Sequence, residues 1–300
     1  MRNYRKEYDS LMSDNFEIIN GDCIDVLKGL EEGSVSLTVT SPPYDNLRNY
    51  KGFSFDIEAV SNALFRVTKH GGIVVWVISD ATIKGSETLT SFRHAIQFVD
   101  AGFNLHDTMI FEKVNPIPQI YRKRYTNVFE YMFVFSKGPV ETHNAIRIPS
   151  KHAGLELGST TYKNYSANEQ KRSKLANPVK DTKIKGNIWN YVVGTRKEDQ
   201  EAKDHPAPFP CALAMDHITS WSNEGDVVLD PMCGSGTTGV ACAKIGRKFI
   251  GIEIVPAYCD IACERIEDAS RQRDLFIEPP KKPKQLGMLG DEEQYLKRND

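Results

Sequence analysis

Two short segments carry residue types able to do chemistry at defined spacing. Val35-Ser-Leu-Thr-Val-Thr40 is an apolar, β-branched run closed by Ser41-Pro42-Pro43-Tyr44. Prolines donate no ladder hydrogen bond and fix φ, so the strand must stop there and the chain beyond it is stiff. Such a turn holds the Ser41 hydroxyl and the Pro42 carbonyl in fixed directions, and Tyr44 offers a flat π-face. An exocyclic amine of cytosine or adenine presents two N–H donors but is a poor nucleophile, because its lone pair is delocalised into the ring. Acceptors on both N–H bonds would draw the nitrogen toward tetrahedral geometry and free the lone pair for attack on a methyl sulfonium. A plain polyproline turn has the same residues, so the segment alone leaves both readings open.

The second segment is Val227-Val-Leu-Asp-Pro-Met-Cys-Gly-Ser-Gly-Thr-Thr-Gly239. A buried strand ends in Asp230-Pro231, turns through Gly234 and Gly236, and enters a helix at Thr238. Glycines at the carboxyl end of a strand in an open α/β sheet allow the backbone to approach a nucleotide-like ligand. The GK[ST] of a phosphate-binding loop is missing, which disfavours nucleoside triphosphate hydrolysis. The next strand ends at Glu253, placed to accept from both hydroxyls of a ribose. That spacing also admits NAD, but Asp-Pro in place of GxGxxG shifts the balance toward S-adenosyl-L-methionine. Asp230 would then hold the cofactor's ammonium, with backbone N–H groups and Thr237 or Thr238 receiving its carboxylate. A helix-capping role for Asp230 is compatible with this.

The elements that must position these segments are α/β in pattern. Strands are expected over Phe16 to Asn20, Val35 to Thr40, Ile73 to Ser79, Asn104 to Glu112, Val128 to Ser136, Val227 to Asp230 and Phe249 to Glu253. Helical spacing places amphipathic helices over Ile57 to His70 (ended by Gly71-Gly72), around Ala214, Ile218 and Trp221, over Thr238 to Ile245, and from Pro256 through Ile266. Strands alternating with helices predict βαβ units and a mostly parallel sheet. The alternation fails over 139–187, which reads as an insertion, and residues 271–300 read as an extension outside the fold.

The 300 residues carry 38 Lys+Arg against 40 Asp+Glu, a net charge of −2 that excludes a uniformly polybasic protein. The average hides an asymmetry: residues 113–187 carry +9 and the remainder −11. Lysines and arginines of that middle, with Tyr121, Tyr125, Tyr162 and Tyr165 among them, fit either a solvated face or a surface that contacts phosphates beside bases. The six cysteines are dispersed without metal-ligand spacing, which predicts packed, reduced thiols and no metal site. The amino-terminal residues lack the apolar core of a signal peptide, and no run approaches the roughly 20 apolar residues of a membrane span; a cytoplasmic, membrane-free protein is expected.

At this point the chain resembles the S-adenosylmethionine-dependent DNA amino methyltransferases, the cytosine-N4 and adenine-N6 enzymes. Gly21-Asp22-Cys-Ile-Asp-Val-Leu27 is similar to the family's amino-terminal motif, whose acid contacts the cofactor adenine. Val39-Thr-Ser-Pro-Pro-Tyr44 is similar to its catalytic motif, and His205-Pro206-Ala-Pro-Phe209-Pro210 to the segment lining the methionine end of the pocket. The glycine turn and Gly251-Ile-Glu253 complete the set. The order of motifs resembles the family's β arrangement, which implies a Rossmann-like doubly wound methyltransferase sheet built from 1–138 and 188–270, with 139–187 as an inserted target recognition region. It implies catalytic roles for Ser41, Pro42, Pro43 and Tyr44. Asp22, His205, Pro206, Phe209, Pro210, Asp230, Pro231, Gly234, Gly236, Thr237, Thr238 and Glu253 become cofactor residues. Arg122, Lys123, Arg124, Lys163, Lys171, Arg172 and Lys174 become DNA contacts. Double-stranded DNA is the implied partner, its target base flipped from the stack; a cognate restriction endonuclease and a homodimer are both compatible with the resemblance. Ser before Pro-Pro is more typical of cytosine-N4 enzymes, with adenine N6 as the alternative. Methylation of a protein amide and a non-catalytic DNA-binding module are less favoured by the basic insertion and the intact motifs.

Overall fold

The structure, a computed structural model, describes residues 10–43, 55–118, 123–154, 160–164, 169–173, 179–194 and 209–276. From the amino end its elements are β1 (Ser10–Met12), β2 (Phe16–Asn20), α1 (Cys23–Gly29), β3 (Val35–Thr40), α2 (Ile57–Val67), β4 (Thr68–Ile78), β5 (Thr82–Ile83), β6 (Ser86–Glu87), α3 (Thr90–Asp100), β7 (Asn104–Lys113) and β8 (Phe129–Ser136). There follow β9 (Arg147–Pro149), β10 (Thr160–Asn164), β11 (Glu169–Ser173), β12 (Thr182–Ile184), β13 (Ile188–Tyr191), α4 (Cys211–Trp221), β14 (Val227–Asp230), α5 (Thr237–Ile245), β15 (Lys248–Glu253) and α6 (Pro256–Phe276).

Nine strands form one sheet in the order β1-β2-β15-β14-β3-β4-β8-β7-β13. The run from β2 to β4 is parallel throughout, and β8 is antiparallel to both of its neighbours. Strands buried on both faces explain why these segments read as continuous apolar runs. Along β4, Ile73, Val75 and Val77 pack with residues of α4, α5 and α6, whereas Val74, Trp76 and Ile78 pack with residues of α1, α2 and α3. The result is three layers, helix–sheet–helix, with two cores of fully buried side chains. From β14 the chain proceeds to β15 on one side and from β3 to β4 on the other, so the β14–β3 boundary is the topological switch point where ligands of open α/β sheets bind.

Three strands expected from sequence, Phe16–Asn20, Val35–Thr40 and Val227–Asp230, match to the residue. The α2 boundary does not. Gly71-Gly72 fail to end that helix, because it stops at Val67, where Thr68 donates its N–H and its hydroxyl to the Leu64 carbonyl. The glycines instead lie within β4, beside a register irregularity in its pairing with β3. Gly71 takes φ +73°, and a Cβ on Gly72 would lie 2.9 Å from the carbonyl oxygens of both Lys69 and Ser36. They are present because two backbones approach closely at a bulge. Helix α3, the edge strands β1 and β13 and the β5–β6 hairpin were not expected. The carboxyl-terminal extension begins later than expected, since α6 continues through Phe276. Within 139–187 the described residues form two antiparallel pairs, β9 with β12 and β10 with β11, neither joined to the large sheet.

Gly72→Ala should lower the unfolding free energy by about 1–3 kcal/mol, since its methyl presses on two carbonyls that have no free volume to enter. Urea denaturation measures this, with Gly186→Ala, which meets nothing within 4 Å, as the control expected to change little.

Candidate active site at the strand ends

β2, β15, β14 and β3 are consecutive neighbours running in one direction. The residues that follow their carboxyl ends therefore share one edge: Gly21-Asp22, the Glu253 carboxylate, Asp230-Pro231 and Ser41-Pro42-Pro43. Sequence separation is large, but register removes it, with Asn20 opposite Glu253, Gly251 opposite Asp230 and Thr38 opposite Leu229.

Asp230 lies at the centre and is only 2% exposed. Its Oδ1 accepts from the Thr40 hydroxyl at 2.7 Å and from the Met232 N–H at 3.2 Å. Its Oδ2 accepts from the Thr238 hydroxyl at 2.7 Å. Burial pushes the carboxyl up to about 6, and these three hydrogen bonds oppose the rise without cancelling it. Thr238 is fully buried and also lies 3.2 Å from the Val39 carbonyl. The side chains of Asp230 and Thr238 thus face each other behind the turn, and the residue that caps α5 is Gly236, not Asp230.

In front of this cluster the turn presents backbone. Gly236 takes φ +79°, and a Cβ there would lie 2.8 Å from the Ala262 Cβ and 3.0 Å from its Cα, so only glycine fits between turn and α6. No side chain caps α5, which leaves its first-turn N–H groups without a side-chain acceptor at the cap. Glu253 is 8% exposed and accepts from the Gly234 N–H (Oε2) and the Val255 N–H (Oε1), each at 2.9 Å. Burial raises its carboxyl as well. Asn20, which sequence reasoning passed over, donates to the Glu253 carbonyl at 2.9 Å and aligns the two strand ends. Asp22 is exposed and caps α1, accepting from the Ile24 N–H at 2.8 Å. A glycine turn with no room for a Cβ, uncapped helix donors and carboxylates at adjoining strand ends suit a ligand with an anionic group at one end and hydroxyls at the other.

Ser41 and Pro43 are partly exposed at this edge and Pro42 is buried. Pro231 and Thr237 are buried beside the turn, and Phe209 and Pro210 lead into α4, with Phe209 packed on the core. Tyr44, His205 and Pro206 lie outside the described residues, as do Arg122 and Lys174. Among the basic residues, Lys123 and Arg124 are exposed, but Arg124 is held internally by Glu87 at 3.2 Å and by the Gly85 carbonyl. Lys163, Lys171 and Arg172 fall on the β10–β11 hairpin, whose register sets Tyr162 opposite Lys171 and Thr161 opposite Arg172. Thr40 was also passed over as a site residue; its signal was a polar residue closing an apolar strand directly before Ser41.

A doubly wound sheet with this edge at its switch point defines a nucleotide-binding type of α/β fold, and comparison with known proteins gives its class as the α/β methyltransferases. Two solved structures share the fold. The PvuII DNA methyltransferase (cytosine-N4-specific) matches with a TM-score of 0.62 at 20% identity, over 87% of this chain and 93% of its own. The M1.HpyAVI–SAM complex matches at 0.57 and 22%, over 84% and 98%. The orphan methyltransferase M.BamHII of Bacillus amyloliquefaciens is 49% identical over 239 residues, 78% of this chain and 89% of that protein. A DNA methylase family profile, that of the N6/N4 methyltransferases, matches residues 35–264. The chain belongs to this DNA methylase family. Among the described residues no helix is long and apolar enough to cross a membrane.

The raised Asp230 carboxyl has a sign that can be checked. Its folded value of about 6 exceeds the ordinary 3.8, so folding takes up a proton between those values. Its contribution to stability is present below pH 4 and is lost as pH rises through 6. In Asp230→Asn that loss should vanish, so wild type falls relative to the variant across this window by an amount on the order of 3 kcal/mol. Identical pH slopes in urea unfolding of the two proteins would remove the assignment.

Proposed function

We propose that the protein methylates the exocyclic amine of a base flipped out of duplex DNA, with cytosine N4 as the acceptor and Ser41 as the residue that orients it. The observation that carries this reading is the placement of Ser41-Pro42-Pro43 beside the glycine turn across the switch point, joined by the Thr40–Asp230 hydrogen bond. S-adenosyl-L-methionine supplies an electrophilic methyl on a sulfonium when bound. The α5 N-terminus and the Gly234–Gly236 backbone would receive its carboxylate, and Glu253 its ribose. Asp22, from the end of β2, would meet its adenine, and Phe209 with Pro210 would line the pocket from the α4 side.

The remaining steps belong to the chain. Ser41 Oγ and the Pro42 carbonyl accept from the two N–H groups of the target amine, which localises the lone pair and aims it. The proline pair supplies rigidity, so the acceptors need no reorganisation. Tyr44 would stack on the extruded base and offset part of the few kcal/mol that flipping requires. Thr-Ser-Pro-Pro-Tyr supports cytosine over adenine, in agreement with the specificity named for the PvuII enzyme. Residues 1–138 and 188–270 would form the catalytic unit, and 139–187, with the β10–β11 hairpin, would read the target sequence.

Purified protein should transfer labelled methyl from S-adenosyl-L-methionine to duplex DNA, and nucleoside mass spectrometry should identify N4-methylcytosine. N6-methyladenine would overturn the base, and absence of label in DNA would overturn the reading as a whole. Ser41→Ala should lower kcat by about 10²-fold or more while cofactor binding, followed calorimetrically, changes little; undiminished turnover would reject the role of Ser41.

A further inference from the structure

The β5–β6 hairpin has no part in the site described so far, and its tip is unusual. Its strands pair Thr82 with Glu87 and Ile83 with Ser86, so Lys84 and Gly85 form a two-residue turn. Both have positive φ, +49° and +85°, as a type I′ turn requires. The first position of such a turn is ordinarily Asn, Asp or Gly, because a Cβ disfavours left-handed backbone. Lys84 takes that position here, which places its ammonium at the tip of the hairpin.

The hairpin is fixed in place. Ala81 and Thr88 close its base through Thr88 N–H to the Ala81 carbonyl at 3.0 Å and Ala81 N–H to the Thr88 hydroxyl at 3.2 Å. Arg124, from the segment joining β7 to β8, binds Glu87 at 3.2 Å and the Gly85 carbonyl. Between hairpin and segment lies a cleft of about 550 Å³ lined by Thr82, Lys84, Gly85, Lys123 and Arg124. The Arg124 charge is matched by Glu87. Lys84 and Lys123 are exposed, and neither makes a hydrogen bond or ion pair with the described residues. Two ammonium groups with no acidic partner among the described residues thus share a concave surface with Thr82. Tyr125, next to Arg124, is 100% exposed.

The cleft lies on the catalytic edge. The hairpin follows the carboxyl end of β4, the neighbour of β3, and the 114–128 segment joins the carboxyl end of β7 to the start of antiparallel β8. In the sheet the hairpin leaves from the strand next to β3 and the segment from strands two and three places away, a lateral offset of about 5–15 Å from the strand that ends at Ser41. That is a few nucleotides along a DNA strand, whose phosphates advance roughly 3.4 Å along the helix axis per residue.

We infer that this cleft is a phosphodiester clamp in which Lys84 and Lys123 grip the DNA backbone a few nucleotides from the flipped base. Arg124 acts as a positioning residue that holds the hairpin against the segment, and Tyr125 covers the sugar or base beside the held phosphate. The inference rests on the DNA-methylating reading above and refines where the duplex is held.

The test measures binding of a duplex oligonucleotide to the full-length wild type and to a Lys84→Ala/Lys123→Ala double variant over a series of salt concentrations. Both lysines are exposed, so the variant should fold, and circular dichroism checks this. Its Kd should rise at least tenfold at fixed salt, and the slope of log K against log salt should become shallower by about two, one unit per lost phosphate contact. Lys84→Arg/Lys123→Arg should restore both quantities. An unchanged salt slope in the double variant overturns the clamp, even if the wild type methylates DNA normally. Inorganic phosphate raising the Tm of wild type but not of the double variant, with the salt slope unchanged, would assign the cleft to free phosphate and also overturn it. Failure of the wild type to methylate DNA would instead strike the reading on which the clamp rests.

Discussion

The whole catalytic edge depends on one buried carboxylate. Asp230 draws three donors from three places, the last residue of β3, the first turn of α5 and the backbone of its own turn. A carboxylate with no solvent is costly unless its oxygens are fully engaged, and here that demand becomes a geometric constraint. Thr40 must sit where its hydroxyl reaches Asp230, so Ser41, the next residue, has a fixed starting point. Thr238 must do the same from the other side, which sets how α5 leaves the glycine turn. Two segments 190 residues apart, already paired as β3 and β14, are joined at their ends by this one side chain.

The charge distribution complements this rigid centre. The acidic remainder of the chain contributes Asp22, Asp230 and Glu253 at strand ends, while the basic middle supplies the segment after β7 and the small β9–β12 and β10–β11 pairs. The net charge near zero is thus the sum of a basic middle and an acidic remainder, with three of the acids at the strand ends of the switch-point edge.

Much of this was legible because burial on both faces writes a simple pattern. Val35–Thr40 and Val227–Asp230 are β-branched runs with a proline or Asp-Pro stop, and the structure ends them where the residues say. Helix α3 escaped because apolar residues lie on both of its faces, with Ala95 and Phe98 buried. Phe92, Ile96 and Val99 face outward, while the buried face includes Ser91 and His94, the latter accepting from the Trp76 indole at 3.2 Å. Strand β13 escaped because it has only four residues and its Ile188 is exposed. Gly71-Gly72 misled because a glycine pair marks a helix stop and a close backbone approach with equal ease. At the site, residue types were readable but their partners were not: nothing local to Thr40 announces Asp230, since only the pairing of β3 with β14 brings them together.

The strand order carries a consequence for how the molecule is made. β2 and β3 are separated by only fourteen residues of chain, between Asn20 and Val35, yet two strands, β15 and β14, lie between them in the sheet. Those two come from the last part of the described fold. β2 and β3 are therefore made well before the two strands that separate them in the finished sheet. The native pairings of β2 with β15 and of β3 with β14 require the chain through residue 253, the same stretch that carries Asp230, the glycine turn and Glu253. Completion of the sheet and of the site thus rests on the same long-range pairings, and a chain that stops short of β14 holds Ser41-Pro42-Pro43 without its partners across the switch point.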